Sequence, residues 1–442
     1  MELLTGDIKK IYRKFLFTAL GSTIISSIYA SVDLIAVGHY CGPNGSAAIS
    51  CINPLWSIMI SLGIFFGIGG SVLMSSQRGA GNKGSGDEFY TVAMICGLAA
   101  AAAIFAVFVF LAEPMLRFFG ADDEILPYAM DYFRWIAYVS PTFLLTSLLN
   151  SFIRNDGTPG LCTIATVSGG VLNIIGDYVL VFVVDLGASG AGIATAIGQL
   201  VGFVILCTYF FRKRCTLRLV RVQEFGKKLW GVVSTGFAPF IVDLAFGVVV
   251  IICNRQIVRW AGNTELGIYG TVANVAILFQ GLFYAVGQAV QPVVSTNFGG
   301  ERADRVRASL RICMGTTLGM SLVFFALCEA FPLPILKLFM AVTPQVVAAG
   351  PRIMRIYAVS FLFMGVNVVA TYYLQSILRS AQSVVISLLR GFALCSAFLM
   401  ILPPVAGFSS IWWTFALTEV ITLGYTIFSL KRADRALPGG NA

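Results

Sequence analysis

Long stretches without charge dominate this sequence and limit what the chain can fold into. Several runs of about 18 or more residues contain almost no Asp, Glu, Lys or Arg, and a helix of that length can cross a membrane. Only 12% of the 442 residues are charged, about half the share found in soluble domains. The composition therefore excludes an ordinary soluble enzyme and a disordered chain. A membrane β-barrel is disfavoured too, because its strands alternate between apolar and polar residues.

Twelve apolar segments predict an all-α polytopic membrane protein with twelve transmembrane helices. Turn-forming connections such as Gly42-Pro43-Asn44-Gly45 separate them. The segments lie at about residues 15–38, 47–77, 89–111, 128–153, 160–184, 190–211, 229–254, 268–296, 308–331, 353–378, 384–406 and 410–430.

The distribution of basic residues predicts which helix ends face the cytoplasm. One set of alternate connections, together with both termini, contains 22 of the 30 Lys and Arg residues, and the opposite set contains 5. Because Lys and Arg collect in cytoplasmic loops, we expect both termini in the cytoplasm. The net charge of +9 then follows from topology and does not indicate a nucleic-acid partner.

One basic stretch, at residues 212–228, divides the chain near its middle. It contains seven Lys or Arg residues and the single acid Glu224. We predict an N-terminal lobe at 1–211 with helices 1–6, a basic cytoplasmic linker at 212–228, and a C-terminal lobe at 229–442 with helices 7–12 and a cytoplasmic tail. The linker is expected to set the topology; the alternative is that it binds anionic lipid headgroups.

The two halves of the sequence resemble each other. Residues 149–154, Leu-Asn-Ser-Phe-Ile-Arg, match residues 374–379, Leu-Gln-Ser-Ile-Leu-Arg, at an offset of 225, and two other matches have offsets of 220 and 218. Because each copy has six spans, both copies enter the membrane from the same side. The pattern predicts two six-helix lobes related by a pseudo-two-fold axis along the membrane normal, as in transporters that rock around a central cavity.

Five acidic residues of the apolar segments are candidates: Asp33, Asp177, Asp243, Glu329 and Glu419. A carboxylate at the centre of a transmembrane helix costs about 2.5–3.5 kcal/mol on insertion scales, so each one is a candidate functional residue. Glu329 lies close to a helix end, where its side chain can reach the interface. Asp33 and Asp177 form the main candidate site, and Asp243 and Glu419 are further candidates in the second half.

The residues around Asp177 indicate a cation or proton site. Asn173 and Asp177 are four residues apart and share one face of a helix. With Asp33 they offer two carboxylates and an amide oxygen, which suit a small hard cation or protons. Adding the offset of 225 gives Phe398 and Leu402, so we expect this chemistry in the first half alone. The alternative is that each Asp is held by hydrogen bonds to helix ends or Ser hydroxyl groups.

Motifs for other functions are missing from the sequence. The segment Gly67-Ile68-Gly69-Gly70 is not followed by Lys and Ser or Thr, so it is not a phosphate-binding loop. The single His39 and ten separate Cys residues offer neither a catalytic triad nor a metal site. We therefore expect no enzymatic activity and no cofactor.

The combined features resemble the multidrug and toxic compound extrusion (MATE) family, in its prokaryotic, DinF-like type. They are the twelve spans, the two six-span lobes, the basic linker and the loop Gln77-Arg78-Gly79-Ala80-Gly81-Asn82-Lys83. The resemblance implies export of organic cations and drugs, driven by Na+ or H+, by rocking between outward-open and inward-open forms. It also implies a cation site in the N-terminal lobe, at Asp33, Asn150, Asn173, Asp177 and Thr195. Other members have essential acids in the C-terminal lobe, where Asp243 and Glu419 are the candidates.

We therefore expect an antiporter for small organic cations in the plasma (inner) membrane of a prokaryote, coupled to Na+ or H+. We expect a monomer whose other partners are membrane lipids. The alternative is a flippase for a lipid-linked precursor, which has the same superfamily shape and usually carries Arg or Lys in its spans to hold phosphates. These spans contain few cations, Arg390 and Arg255 among them, and several acids. A membrane scaffold or receptor is a third class, which the buried acids and the repeat disfavour.

Overall fold

The computed structural model consists of helices and short connections over the residues that it describes. The backbone is described for residues 2–260, 263–339 and 344–437; within these ranges the side chains of residues 2, 29–31, 43, 238–239, 241–248, 250–251, 254, 258, 263–264, 266–267 and 339 are not described. Eleven described helices are long and apolar enough to cross a membrane, and no described residue forms a β-strand. The predicted all-α membrane fold class is confirmed.

The first half of the chain contains six long helices. Gly42 separates the first two, because its φ of 69° ends the helix in a conformation that glycine adopts readily. The six are α1 (Ile8–Gly42), α2 (Asn44–Gly79), α3 (Lys83–Phe110), α4 (Leu126–Asn155), α5 (Pro159–Val183) and α6 (Gly187–Phe211). A short helix, Ala112–Phe118, lies between α3 and α4.

The second half repeats this order. Its first helix, α7 (Phe225–Trp260), takes the place of the seventh predicted span. The others are α8 (Asn263–Gly299), α9 (Ala303–Ala330), α10 (Pro344–Ser376), α11 (Ser380–Ala406) and α12 (Phe408–Arg435). A short helix, Pro332–Phe339, lies between α9 and α10, as its counterpart does in the first half.

The offset between corresponding helices is nearly constant. From the first residue of α3 to that of α9 the offset is 220, and from α5 to α11 and from α6 to α12 it is 221. Gly157 and Leu378, which have positive φ just before α5 and α11, give the same offset of 221. The sequence match at an offset of 225 is therefore wrong by about one helical turn, because two apolar helices can slide by a turn without losing their pattern.

Two of the described helices contain a π-helical segment. The segments are Asp177–Val183 in α5 and Leu389–Ala393 in α11, the fifth helix of each half. Such segments are rare in proteins overall, but those that occur frequently lie at functional sites. Each one holds a charged residue, Asp177 in α5 and Arg390 in α11.

Contacts divide the chain into two compact units, which are described separately. The first unit comprises Phe17–Phe240, and the second comprises residues 1–16 and 241–442. The linker 212–228 packs within the first unit, where Arg78 donates hydrogen bonds to Asp156 and to the hydroxyl group of Thr216, both at 2.7 Å. The predicted boundary between two lobes at 212–228 is based on the repeat in the sequence and not on these contacts. It stays a prediction.

Close packing of α5 against α6 positions side chains of the candidate site in the first unit. A Cβ atom at Gly169 of α5 would lie only 2.6 Å from the carbonyl oxygen of Gly198 of α6. Small residues let membrane helices approach in this way. The approach brings the polar side chains of α5 next to those of α6.

Candidate functional site

The carboxylate of Asp33 lies at the centre of a buried polar cluster in the first unit. Asp33 is on α1 and is 6% exposed. Its neighbours on three other helices are neutral donors: the Tyr132 hydroxyl group at 2.9 Å, the Asn173 amide at 3.2 Å and the Thr195 hydroxyl group at 3.0 Å. Among the described residues, no Lys or Arg forms an ion pair with Asp33.

All the donor hydrogens of these three neighbours are used. The second amide hydrogen of Asn173 goes to the hydroxyl oxygen of Thr195 at 3.0 Å. Tyr132 and Thr195 have one hydroxyl hydrogen each, and both point to Asp33. The cluster therefore has no donor left for a further acceptor.

Asp177 is the acceptor that this arrangement leaves without a donor. It is 1% exposed, and neither of its carboxylate oxygens accepts a hydrogen bond from the described residues. Its carboxyl group interacts directly with that of Asp33. The side-chain oxygen of Asn173 is also buried and lacks a donor. A buried polar atom without a partner costs about 1–3 kcal/mol, and more when it is charged.

The cluster, which comprises Asp33, Tyr132, Asn173, Asp177 and Thr195, is short of positive charge. Three buried oxygen atoms face no donor, and two of them belong to a carboxylate. Carboxylate and amide oxygens are the ligands that hard cations prefer, and a proton shared by two neighbouring carboxyl groups is the other way to complete the site. The arrangement can therefore bind and release a small cation or a proton.

Tyr132 is the member of this cluster that sequence analysis did not find. It lies in the second turn of α4, and it is one of 15 Tyr residues in the chain. Tyr132 and Asn150 are separated by about five helical turns and share a face of α4, but nothing in the sequence distinguishes Tyr132 from the other Tyr residues.

Asn150 lies apart from the cluster. Five turns of helix correspond to about 27 Å along the axis of α4, so Asn150 is far from the level of Tyr132. Its side-chain oxygen is buried without a hydrogen bond among the described residues. The structure thus brings together four of the five positions predicted for the N-terminal lobe and places Asn150 elsewhere in the same unit.

A cavity of about 320 Å³ lies in the first unit, and Asn150 lines it. Asn173 and Thr195 line the same cavity, so these two residues have one side on the cavity and hydrogen bonds to Asp33 on the other. Trp56 and Phe143 contribute an aromatic wall, with ring centroids 4.5 Å apart. Among the described lining residues, none carries a charge.

The acids predicted for the second half have other surroundings. Glu419 is paired with the Arg390 guanidinium at 2.8 Å, and both side chains are 7% exposed. Asp243 lies in α7, and its side chain is outside the described residues. The side chain of Glu329 is 37% exposed and lies 3.6 Å from Arg355, which agrees with a position near the interface.

Comparison with known protein families gives a match over most of the chain. A family model described as MatE matches residues 19–179 and, again, residues 239–400. The two matches begin at an offset of 220, the same as that between α3 and α9.

Relatives by sequence include multidrug export proteins of staphylococci. The multidrug export protein MepA of Staphylococcus saprophyticus is 24% identical over 404 residues, which are 90% of this chain and 88% of the relative. The protein of the same name from Staphylococcus haemolyticus is 22% identical over 96% of this chain and 93% of its own.

Solved structures show the same fold. An outward-facing multidrug resistance MATE family transporter of the MOP superfamily superimposes with a TM-score of 0.91 over 99% of this chain and 98% of its own, at 18% identity. A MOP superfamily transporter from Pyrococcus furiosus gives 0.87 over 98% of both chains at 18% identity, and its description reports a binding pocket of reverse polarity that suggests a different function. At such low identity the likeness shows the fold alone.

Proposed function

We propose, from the premise that this chain belongs to the MatE family, that it exports small organic cations or drugs in exchange for Na+ or H+ by alternating access. The observation that carries the proposal is the shortage of donors and positive charge around Asp33 and Asp177. The exported substrate class rests on the relatives, which are multidrug export proteins, and on the uncharged, partly aromatic cavity. We also propose that the protein is a monomer in the plasma membrane, with both termini in the cytoplasm.

Binding of the ion is the first step of the proposed exchange. A cation or proton that reaches Asp33 and Asp177 supplies the missing positive charge. Asn173 and Thr195 then change their hydrogen bonds, because both now donate to Asp33. Since the same two residues line the cavity, ion binding and substrate binding act on one set of side chains.

The ion drives the cycle only if it binds one conformation more tightly than the other. A ligand shifts a conformational equilibrium by its difference in affinity for the two states, and by no more than that. Moving one charge inward across the membrane yields about 2.3 kcal/mol per 100 mV. One monovalent cation leaving for each entering ion cancels this contribution, so that the concentration gradient alone drives export.

The surroundings of Arg390 disfavour the flippase alternative. A flippase for a lipid-linked precursor needs Arg or Lys that is free to hold phosphate. Arg390 is instead paired with Glu419, and the described lining of the cavity in the first unit is uncharged. An aromatic wall suits an organic cation through cation–π contacts.

The test is transport by the purified protein in proteoliposomes. Efflux of a fluorescent cation such as ethidium is followed while sodium and proton gradients are imposed separately. We expect one of the gradients to drive transport by the wild type, and we expect Asp177→Asn to abolish that transport. Asp131→Asn is the matched control, since Asp131 is an exposed Asp on α4 beside Tyr132. Gradient-driven transport that survives in Asp177→Asn would refute the proposed site.

A further inference from the structure

A second buried polar cluster lies in the second unit. Arg390 donates from Nε and Nη2 to one oxygen of Glu419, at 3.1 and 2.8 Å. The Asn367 amide donates to the other oxygen at 2.7 Å, and the Thr426 hydroxyl group donates to the Asn367 carbonyl oxygen at 2.8 Å. Tyr284, on α8, also interacts with Arg390. Every oxygen of the Glu419 carboxylate therefore has a donor, and its charge has a counter-charge.

The two clusters are built on corresponding helices. In the second unit, Asn367, Arg390 and Glu419 lie on α10, α11 and α12, the fourth, fifth and sixth helices of that half. In the first unit, the cluster around Asp33 and Asp177 draws its other members from α4, α5 and α6. In both units the charged residue of the fifth helix lies in a π-helical segment.

The residues themselves are not equivalent between the halves. At the offset of 221, the positions that correspond to Asn173, Asp177 and Thr195 are apolar: Leu394, Phe398 and Ala416. These three polar positions of the first unit's ion site are therefore not polar in the second.

The same offset relates the Arg390–Glu419 pair to the cavity of the first unit. The positions that correspond to Asn367, Arg390 and Glu419 are Thr146, Gly169 and Gly198. All three line the cavity. Gly169 and Gly198 lie where α5 and α6 approach closely, and the second unit has a guanidinium and a carboxylate at the corresponding positions.

We infer that the Arg390 guanidinium is a tethered cation, which neutralises Glu419 permanently. The second unit then binds no exchangeable ion, and transport is coupled to the ion of the first unit alone. The inference rests on the proposed function, because it specifies where the coupling ion does not bind.

Covalent attachment explains why an ion does not replace the guanidinium. A buried acid in a membrane needs a positive partner, and Arg supplies one in a fixed, multiply hydrogen-bonded geometry. A sodium ion or proton that took Glu419 would leave Arg390 charged and unpaired within the same cluster. At Asp33 and Asp177 no such competitor is present among the described residues, so an ion from solution can come and go.

Ion binding by purified variants tests the inference with Arg390 in place. Sodium binding is measured by calorimetry and proton uptake by a pH step in weakly buffered detergent solution. We expect a signal in the wild type, its loss by at least about ten-fold in Asp33→Asn/Asp177→Asn, and no further change when Glu419→Gln is added. A residual signal that disappears with Glu419→Gln would overturn the inference and leave the proposed function intact. A wild type without any signal contradicts the proposed function and this inference with it.

Transport stoichiometry gives a second test. Arg390→Gln exposes Glu419 to ions, and Arg390→Lys keeps a tethered cation. At zero net flux and an imposed ten-fold ion gradient, one additional coupled ion raises the opposing substrate gradient by about ten-fold. We expect that rise in Arg390→Gln and the wild-type value in Arg390→Lys and in Arg390→Gln/Glu419→Gln. A folded Arg390→Gln variant with wild-type stoichiometry contradicts the inference; if that variant does not fold, the binding measurement decides.

Discussion

Two buried polar clusters, one in each unit, differ in what balances their acids. Asp33 has neutral donors and lies beside Asp177, which has no donor among the described residues, whereas Glu419 has Arg390 at 2.8 Å. Both clusters lie on corresponding helices, so the repeated fold itself does not decide the chemistry. In such a chain, an acid without a neighbouring positive side chain is therefore a stronger sign of an ion site than an acid within a transmembrane helix alone.

Removing charge from the two clusters should have the largest effect on export, and the effect should differ strongly between the first cluster and the second. Asp33→Asn should reduce ion-driven export to background, because the site then has one carboxyl group where the proposed exchange needs two. The double substitution Arg390→Gln/Glu419→Gln removes both charges of the second cluster together, and export should stay within about two-fold, since replacing a buried pair is often neutral. Export by both variants is measured in proteoliposomes at equal protein content. Equal losses in the two variants would break the comparison.

Removing one charge should lower the free energy of unfolding in the second cluster but not in the first. Arg390→Gln leaves Glu419 buried and unpaired, which costs about 3–5 kcal/mol. Asp177→Asn removes an acid that has no donor, so the free energy of unfolding should be unchanged or higher. Thermal unfolding in detergent without added sodium, at neutral pH, measures both. A destabilised Asp177→Asn variant would mean that Asp177 has a structural partner.

Substitutions of two residues on one face of α4 should have different effects, one on ion coupling and the other on substrate binding. Tyr132→Phe removes one of the donors that orient Asp33; hydrogen bonds to charged groups contribute about 1.5–3 kcal/mol, so the ion-driven rate should fall about ten-fold. Asn150→Leu alters the cavity wall and should raise the substrate KM by a few-fold while ion binding is unchanged. Tyr138→Phe, an exposed Tyr on the same helix, is the control. If Asn150→Leu abolishes ion binding, Asn150 belongs to the cation site after all.

The linker should give the smallest effect. Arg212, Lys213 and Arg214 are exposed, and exposed charges contribute little to stability. Changing all three to Gln should leave transport within about two-fold of the wild type. Transport in liposomes with and without anionic lipid checks this: a large loss confined to anionic liposomes would show that the linker binds lipid headgroups.

The main residues of the first cluster could be predicted from the sequence, because few other acidic residues lie within apolar segments. An acid in an apolar helix is expensive, so Asp33 and Asp177 are conspicuous, and the spacing of four puts Asn173 beside Asp177. Thr195 follows only from the resemblance to a family. Tyr132 could not be chosen, because a hydroxyl group at the end of an apolar ring is no anomaly in a membrane helix.

The second cluster shows where pattern reasoning ends. Glu419 and Arg390 are both visible in the sequence, but they are 29 residues apart on different helices, and only the packing of α11 against α12 decides that they pair. The offset between the two halves is likewise not determined by matching residues alone. Matching letters gave an offset of 225, whereas the helix ends and the positive-φ residues Gly157 and Leu378 give 221.

Infrared difference spectroscopy of the carboxyl groups tests the central claim most directly. The spectrum of the purified protein is compared before and after addition of the coupling ion, for the wild type, Asp177→Asn and Glu419→Gln. We expect a carboxyl band that changes on ion binding, is lost in Asp177→Asn and is retained in Glu419→Gln. A band that persists in Asp177→Asn and disappears in Glu419→Gln would contradict it, because the exchanging ion would then belong to the second unit.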